Sequence, residues 1–318
     1  MTRIFSFCFV TIFLSCLSVD AAEPTFAEKL GWPKGSRVLI LHSDDLGMSH
    51  ASNLGTIEAL EFGMVTSVSM MMPTPWVPEF AKYCLENPGV DVGLHLTLTS
   101  EWDDYRWGPV AGKLATPGLV DKFGCMWDSV GEVIENATAD EVETEIRAQI
   151  DRAEAMGLDI THIDSHMGTL FSDDEFFERY IKVGIEKDLP MLMARDYWPR
   201  EASESGRTKR RKAAIERVWK AGLPVIDYVH TATYSWKTRD KDDKYIRDIK
   251  NLPEGVTEMI IHCTKPNEVI DVITNGRELL YGDYFSMISP AVKKALEEEK
   301  IILTTWRELH ERRTAAGK

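Results

Sequence analysis

What most constrains this chain is a rhythm. Short apolar runs recur at 38–41, 65–71, 90–96, 160–163, 190–194, 224–229, 258–261 and 301–304, and helix-like stretches fall between most of them. The clearest helix spans 139–156. It opens on Thr138-x-x-Glu141, a capping box, and Gly157 follows as a stop. Another starts at Ser289-Pro290, with serine at the cap and proline at the first helical position. Strand and helix alternating about eight times predicts a parallel sheet, because parallel neighbours need a crossover and a helix supplies it. In 318 residues this predicts an α/β fold, a single distorted, TIM-like (β/α) barrel of about seven to eight parallel strands. Ser43-Asp-Asp-Leu-Gly47 after the first strand is not GxGxxG, and there is no P-loop, so a nucleotide-binding sheet is disfavoured.

The amino terminus stands apart from that rhythm. Met1-Thr-Arg3 is a positive start, 4–19 is almost continuously apolar, and Val19-Asp-Ala21 fits the small-x-small cleavage rule. We expect residues 1–21 to be a signal peptide and 22–318 a single barrel domain, exported to the periplasm or the extracellular medium. The apolar run falls short of the roughly 20 residues of a membrane span, so no stable membrane insertion is expected. A buried first helix or a signal anchor is the competing reading. Cleavage would leave Cys84, Cys125 and Cys263, with no CxxC pair, which is neither a disulfide framework nor a zinc–thiolate site. The net charge of −14 argues against nucleic acid as a partner. A small substrate and a homodimer are both compatible with the composition.

Chemistry-bearing residues gather at the predicted strand ends. The first strand ends in His42-Ser-Asp44-Asp45, the third in His95, the fourth runs into His162-Ile-Asp164-Ser-His166, and the seventh ends in His262. In a parallel barrel all these ends open on one rim. Each residue has a bland alternative: Asp44-Asp45 could cap the next helix, and His95 and His262 sit in apolar runs where a satisfied core histidine is common. Their coincidence at strand ends favours a shared site. Two imidazoles and one carboxylate, here His95, His166 and Asp45, form a common ligand set for a catalytic divalent ion with open positions. Such an ion acidifies water and polarises a carbonyl or phosphoryl oxygen. Asp44 is placed to take the proton of the water, His262 to protonate the leaving group, and Asp164 to orient an imidazole. Because side chains alternate along a strand, His42 and His162 are expected to point away.

Taken together, Ser43-Asp-Asp-Leu-Gly, Gly63-Met-Val-Thr-Ser-Val-Ser-Met-Met, Val92-Gly-Leu-His-Leu-Thr-Leu, Thr161-His-Ile-Asp-Ser-His and Thr257-Glu-Met-Ile-Ile-His resemble the YdjC-like carbohydrate deacetylases in order and approximate spacing. The resemblance runs from about Arg37 to about Leu309. It implies a distorted barrel that removes N-acetyl groups from amino sugars such as chitooligosaccharides, using one divalent ion (Zn, Mg or Mn). It also implies Asp44 as base, Asp45, His95 and His166 as ligands, and His262 as the late histidine. The family often has Asn-Ala where this chain has His42-Ser43.

Trp102 and Trp107, in the segment after the third strand, are candidates to stack on sugar rings, against the alternative that the loop packs its own aromatics. Arg195, read as the end of the fifth strand, is a candidate for a polar substrate group. Lys209-Arg-Arg-Lys212 reads as a solvated charge run. Two rivals to the deacetylase stay open: a metal-dependent phosphoesterase on the same barrel, and a non-catalytic carbohydrate-binding relative.

Overall fold

The computed structural model describes residues 23–198 and 205–317; the expected leader lies outside them. Among the described residues eight strands alternate with helices: β1 (Arg37–Leu46), β2 (Ser67–Met70), β3 (Val92–Leu96), β4 (Ile163–Ser165), β5 (Ala194–Tyr197), β6 (Ile226–His230), β7 (Gly255–Ile261) and β8 (Ile302–Leu303). All pairings between them are parallel, in the order β4-β3-β2-β1-β7-β6-β5. The expected (β/α) barrel is therefore present, in distorted form. β1 is its axis. β7 runs along one edge, from Arg37↔Gly255 to Ser43↔Ile261. The other edge is shared: β8 takes Val38 and Leu39, and β2 takes over from His42. β4 and β5 would be free edges, but one parallel bridge, Ile163↔Met191, draws them together. Ile163 N–H donates to Pro190 O and Leu192 N–H to Ile163 O.

The helices begin where the sequence says they should. Thr138 and Glu141 close both halves of the capping box on Ala139–Ala155. Ser289 departs from expectation: it stands at the cap of Pro290–Glu298, but its hydroxyl donates to Asp242 and accepts no N–H from the helix.

Strand residues alternate between two apolar layers. Leu39, Leu41, Val68, Met70, Leu94, Leu96, Met259 and Ile261 pack outward against the helices. Val38, Ile40, Ile226 and Val256 pack inward with Trp306 and the short amino-terminal helix Phe26–Lys29, which closes the lower end of the barrel. Burial on both faces explains why these strands read as continuous apolar runs. Above that plug the inward positions turn polar: His42 and Asp44 on β1, Ser67 and Ser69 on β2, His95 on β3, Asp164 on β4 and Glu258 on β7, all buried.

Candidate active site

The ladder of the first strand shifts register between Ser43 and Leu46, at Asp45, whose φ is 67°. Aspartate visits this left-handed region more readily than most residues, and two residues later Gly47 repeats the excursion at 85°. A side chain at Gly47 would strike Val77, with a Cβ only 2.5 Å from its Cγ2. The twist defeats the two-residue alternation, so Asp44 and Asp45 both face the barrel mouth.

Around Asp45 the geometry is that of a ligand cluster. Asp45 Oδ1 lies 3.5 Å from His95 Nε2 and 3.4 Å from His166 Nδ1. The donor atoms of these three buried residues lie within 4.8 Å of one another. Ligands bound at roughly 2.0–2.1 Å around one tetrahedral ion sit about 3.4 Å apart. Asp45 Oδ1 is buried without a hydrogen-bond partner. An orphaned carboxylate oxygen facing two imidazole nitrogens is what a cation would satisfy, so these residues fit a divalent ion.

The far nitrogen of each imidazole is held by a carboxylate. His95 Nδ1 meets Asp164 Oδ1 at 2.5 Å. His166 Nε2 meets both oxygens of Glu101, at 3.0 and 3.1 Å. Such contacts fix ring orientation and raise the basicity of the ligating nitrogen. Sequence reasoning missed Glu101; its only signal is its place in the loop beside Trp102. That loop is tethered to Ala139–Ala155. Glu145 accepts N–H bonds from Val110 and Ala111, and Gln149 pairs with both backbone groups of Thr97.

Charge follows geometry. Burial alone would raise the Asp45 carboxyl, but the imidazoles of His166, His262 and His95 outweigh it and hold it well below the usual carboxylate range. Asp164 is likewise held down, against burial, by His95 and His42. Burial opposes a charge on His166, yet Glu101 and Asp45 raise it well above an ordinary imidazole.

His262, at the end of β7, stands on the other side of Asp45, with Nε2 3.9 Å from Asp45 Oδ2. Its backbone N–H donates to Asp283 Oδ2 at 3.0 Å. Asp283 also takes a bond from the buried Lys241 at 2.6 Å and one from the Tyr245 hydroxyl. Tyr234 packs edge-on against the His262 ring at 5.1 Å.

Four expectations need correction. His42 does not point away: it shares the inward face with Asp44, two residues on, and its Nε2 lies 3.0 Å from Asp44 Oδ1 and 3.1 Å from Asp164 Oδ2. His162 shares a face with Asp164 for the same reason. It sits below the site, stacked on Trp306, in a space that only a glycine at 93 leaves open; a Cβ there would fall 2.4 Å from its Nε2. Arg195 is not at the mouth. β5 begins at Ala194, where the sequence suggested it ends, and Arg195 pairs at 2.6 Å with Asp227, which also anchors the backbone of Phe26 and Val256 at the lower end of the barrel. Trp107 is buried under its own loop, donating to Thr99 O and packing with Met48, Met126 and Tyr281; the alternative of self-packing holds for it.

Trp102 does line the cavity, which measures about 620 Å³ and also contains Asp44, Asp45, His95, His166 and His262. Its remaining wall is largely apolar, from Phe171, Phe177, Leu192, Val229 and Ile260 among others. Arg210 and Arg211 reach it too, a departure from the solvated reading of that charge run. Cys84, Cys125 and Cys263 are all free. No described helix is long and apolar enough to cross a membrane.

Known proteins sharpen the picture. A "carbohydrate deacetylase" from Thermus thermophilus is 31% identical over 290 residues, covering 89% of this chain and 97% of its own. Another, from Thermoanaerobacter pseudethanolicus, is 25% identical over 240 residues, covering 75% and 84%. A crystal structure from Enterococcus faecalis, of a protein given a provisional role in cellobiose-phosphate cleavage, superposes with a TM-score of 0.73 at 24% identity, covering 86% of this chain and 99% of that one. That likeness shows the fold. The family model described as YdjC-like protein matches residues 38–298, which takes in β1 from its second residue, all of β2 through β7 and every residue of the cluster. This chain belongs to the YdjC-like protein family.

Proposed function

We propose that the protein is a metal-dependent hydrolase that removes N-acetyl groups from amino sugars or short N-acetylated oligosaccharides. The observation that carries this reading is the cluster of Asp45, His95 and His166 around an unpartnered Asp45 oxygen. The near full-length similarity to a protein named carbohydrate deacetylase supports it. A cavity of about 620 Å³ falls within the usual range for a small ligand, and Trp102 offers a ring face to a sugar.

Asp45, His95 and His166 would hold one divalent ion, zinc, magnesium or manganese. Bound there, the ion would supply Lewis acidity to the amide carbonyl and to water. The protein's own groups would move the protons. Asp44, hydrogen-bonded by Ser69 Oγ at 3.3 Å, takes one from the attacking water. His262, across the cluster, delivers one to the departing amine. Export of residues 22–318, directed by a signal peptide at 1–21, belongs to the same proposal, with the substrate met outside the cytoplasm.

The test is acetate release from chitooligosaccharides by the purified chain, with each ion and with chelator. Asp44→Asn should lower kcat by about 10²–10⁴-fold while divalent-ion binding, read by calorimetry, persists. Wild-type turnover in that variant would remove Asp44 as the base. Arg210 and Arg211 on the cavity wall favour the phosphoesterase as a second reading. Phosphate release from sugar phosphates, without acetate release, would select it.

A further inference from the structure

His42 is wholly buried and saturated with partners. Its Nδ1 lies 3.0 Å from Ser67 Oγ. Its Nε2 lies 3.0 Å from Asp44 Oδ1, 3.1 Å from Asp164 Oδ2 and 3.1 Å from Ser69 Oγ. The ring is further fixed by edge-on packing against His162, with centroids 5.0 Å apart. One N–H therefore sits between two carboxylates that would otherwise repel each other in a buried space. These carboxylates have different duties. Asp44 faces the mouth, and Asp164 grips His95 through its other oxygen at 2.5 Å. An unbroken chain of contacts runs Asp44, His42, Asp164, His95.

We propose that His42 is a positioning residue that couples the proton-accepting Asp44 to the metal-facing His95, so that the base and the ion site are held in register by one imidazole. This rests on the hydrolase reading above, and it adds a residue outside the ligand set. The sequence of β1 makes the coupling obligatory: His42 and Asp44 lie two residues apart on the inward face, and His42 is paired with Ser67 in the ladder to β2. Removing the imidazole leaves Asp44 with the weak Ser69 contact alone on that side. It also leaves Asp164 with His95 as its only imidazole partner. Both groups then gain freedom to rotate. The loss falls on the rate and on ion affinity, and substrate affinity is spared, because His42 does not line the cavity.

The experiment compares His42→Gln and His42→Leu in the full chain. Glutamine keeps an N–H donor of similar reach; leucine keeps bulk and loses the donor. We expect His42→Leu to lower kcat by about 100-fold with KM within a few-fold of wild type, and to weaken cobalt(II) or zinc(II) binding by about 10-fold in a direct titration. His42→Gln should recover at least half of each loss on a logarithmic scale. A folded leucine variant with wild-type kcat and ion affinity overturns the proposal. Equal impairment of the two variants also overturns it, since shape would then matter and the donor would not. If the leucine variant does not fold, Ser67→Ala decides. Freeing Nδ1 should reduce kcat by about 5-fold, on the scale of one lost hydrogen bond, and an unchanged kcat overturns the coupling. The titration needs no substrate. A wild type that binds the ion, and a leucine variant that binds it more weakly, would uphold the coupling even if no acetate were ever released, which would sink only the deacetylase reading.

Discussion

At Asp45 a single left-handed residue, φ 67°, places two consecutive carboxylates on the same side of a strand. Everything at the mouth is arranged around that turn. Glu101 is the residue whose removal best separates ion binding from folding, because it touches the cluster only through His166 Nε2. Glu101→Gln should weaken divalent-ion binding by about 10-fold or more with little change in melting temperature, as calorimetry and thermal denaturation would show. The positions of Asp45, His95 and His166 are legible in the sequence because each ends a strand and a parallel barrel gathers strand ends. His42 is misread there for a definable reason. Alternation places His42 with Asp44, and only a backbone twist invisible in the sequence lets Asp45 join them. Glu101 is not legible, since it lies in a loop whose course depends on tertiary anchors at Glu145 and Gln149.

Among elements, β1 and the helix Arg277–Met287 do the most to place the site. β1 contributes both aspartates and pairs with three strands. The helix brings Asp283 beneath His262 and packs closely against the segment that carries Lys241. At Gly282 a Cβ would fall 2.1 Å from Thr238 O and 2.8 Å from the Lys241 stem, so a glycine there is required by contact. Lys241 and Asp283 are both fully buried. Losing one partner of such a pair leaves the other charged and uncompensated. Lys241→Met should cost about 3 kcal/mol in urea denaturation and should reduce kcat, because Asp283 anchors the His262 backbone. A variant as stable as wild type would show that Asp283 is satisfied without the lysine. The strand runs, the Thr138 capping box and the barrel itself are readable from periodicity. The strand limits near 194 are not, because the apolar run at 190–194 ends where β5 begins, and Ala194–Tyr197 are only partly buried and carry no continuous apolar signal. Arg195 is misplaced as a result.

For the molecule as a whole, the polar interior gives stability a pH dependence. Burial pushes the Glu258 carboxyl up to about 8, while Trp306 Nε1 donates to one of its oxygens and the other has no partner among the described residues. The folded state thus holds a proton that the unfolded chain releases near 4.5. Its contribution is fully present below that pH and is lost as pH rises through about 8. Glu258→Gln cannot ionise. The drop in melting temperature from pH 5 to pH 8 should be smaller in this variant than in wild type by on the order of 5 °C, and an identical slope would mean that Glu258 is charged in the folded protein.

The bridge at Ile163↔Met191 has a consequence for how such a barrel can diversify. The residues that would grip an ion or move protons sit on β1, β3, β7 and the end of β4, while Phe177, Leu192 and Val229 line the cavity around this thin closure. Ile163 shares β4 with Asp164 and leads into His166, so it is on the β5 side of the closure that insertions or substitutions can widen or narrow the chamber without disturbing the long ladder that carries the reactive groups. The β5 side of the circumference is free to change what fits, and the remaining strands keep the chemistry constant.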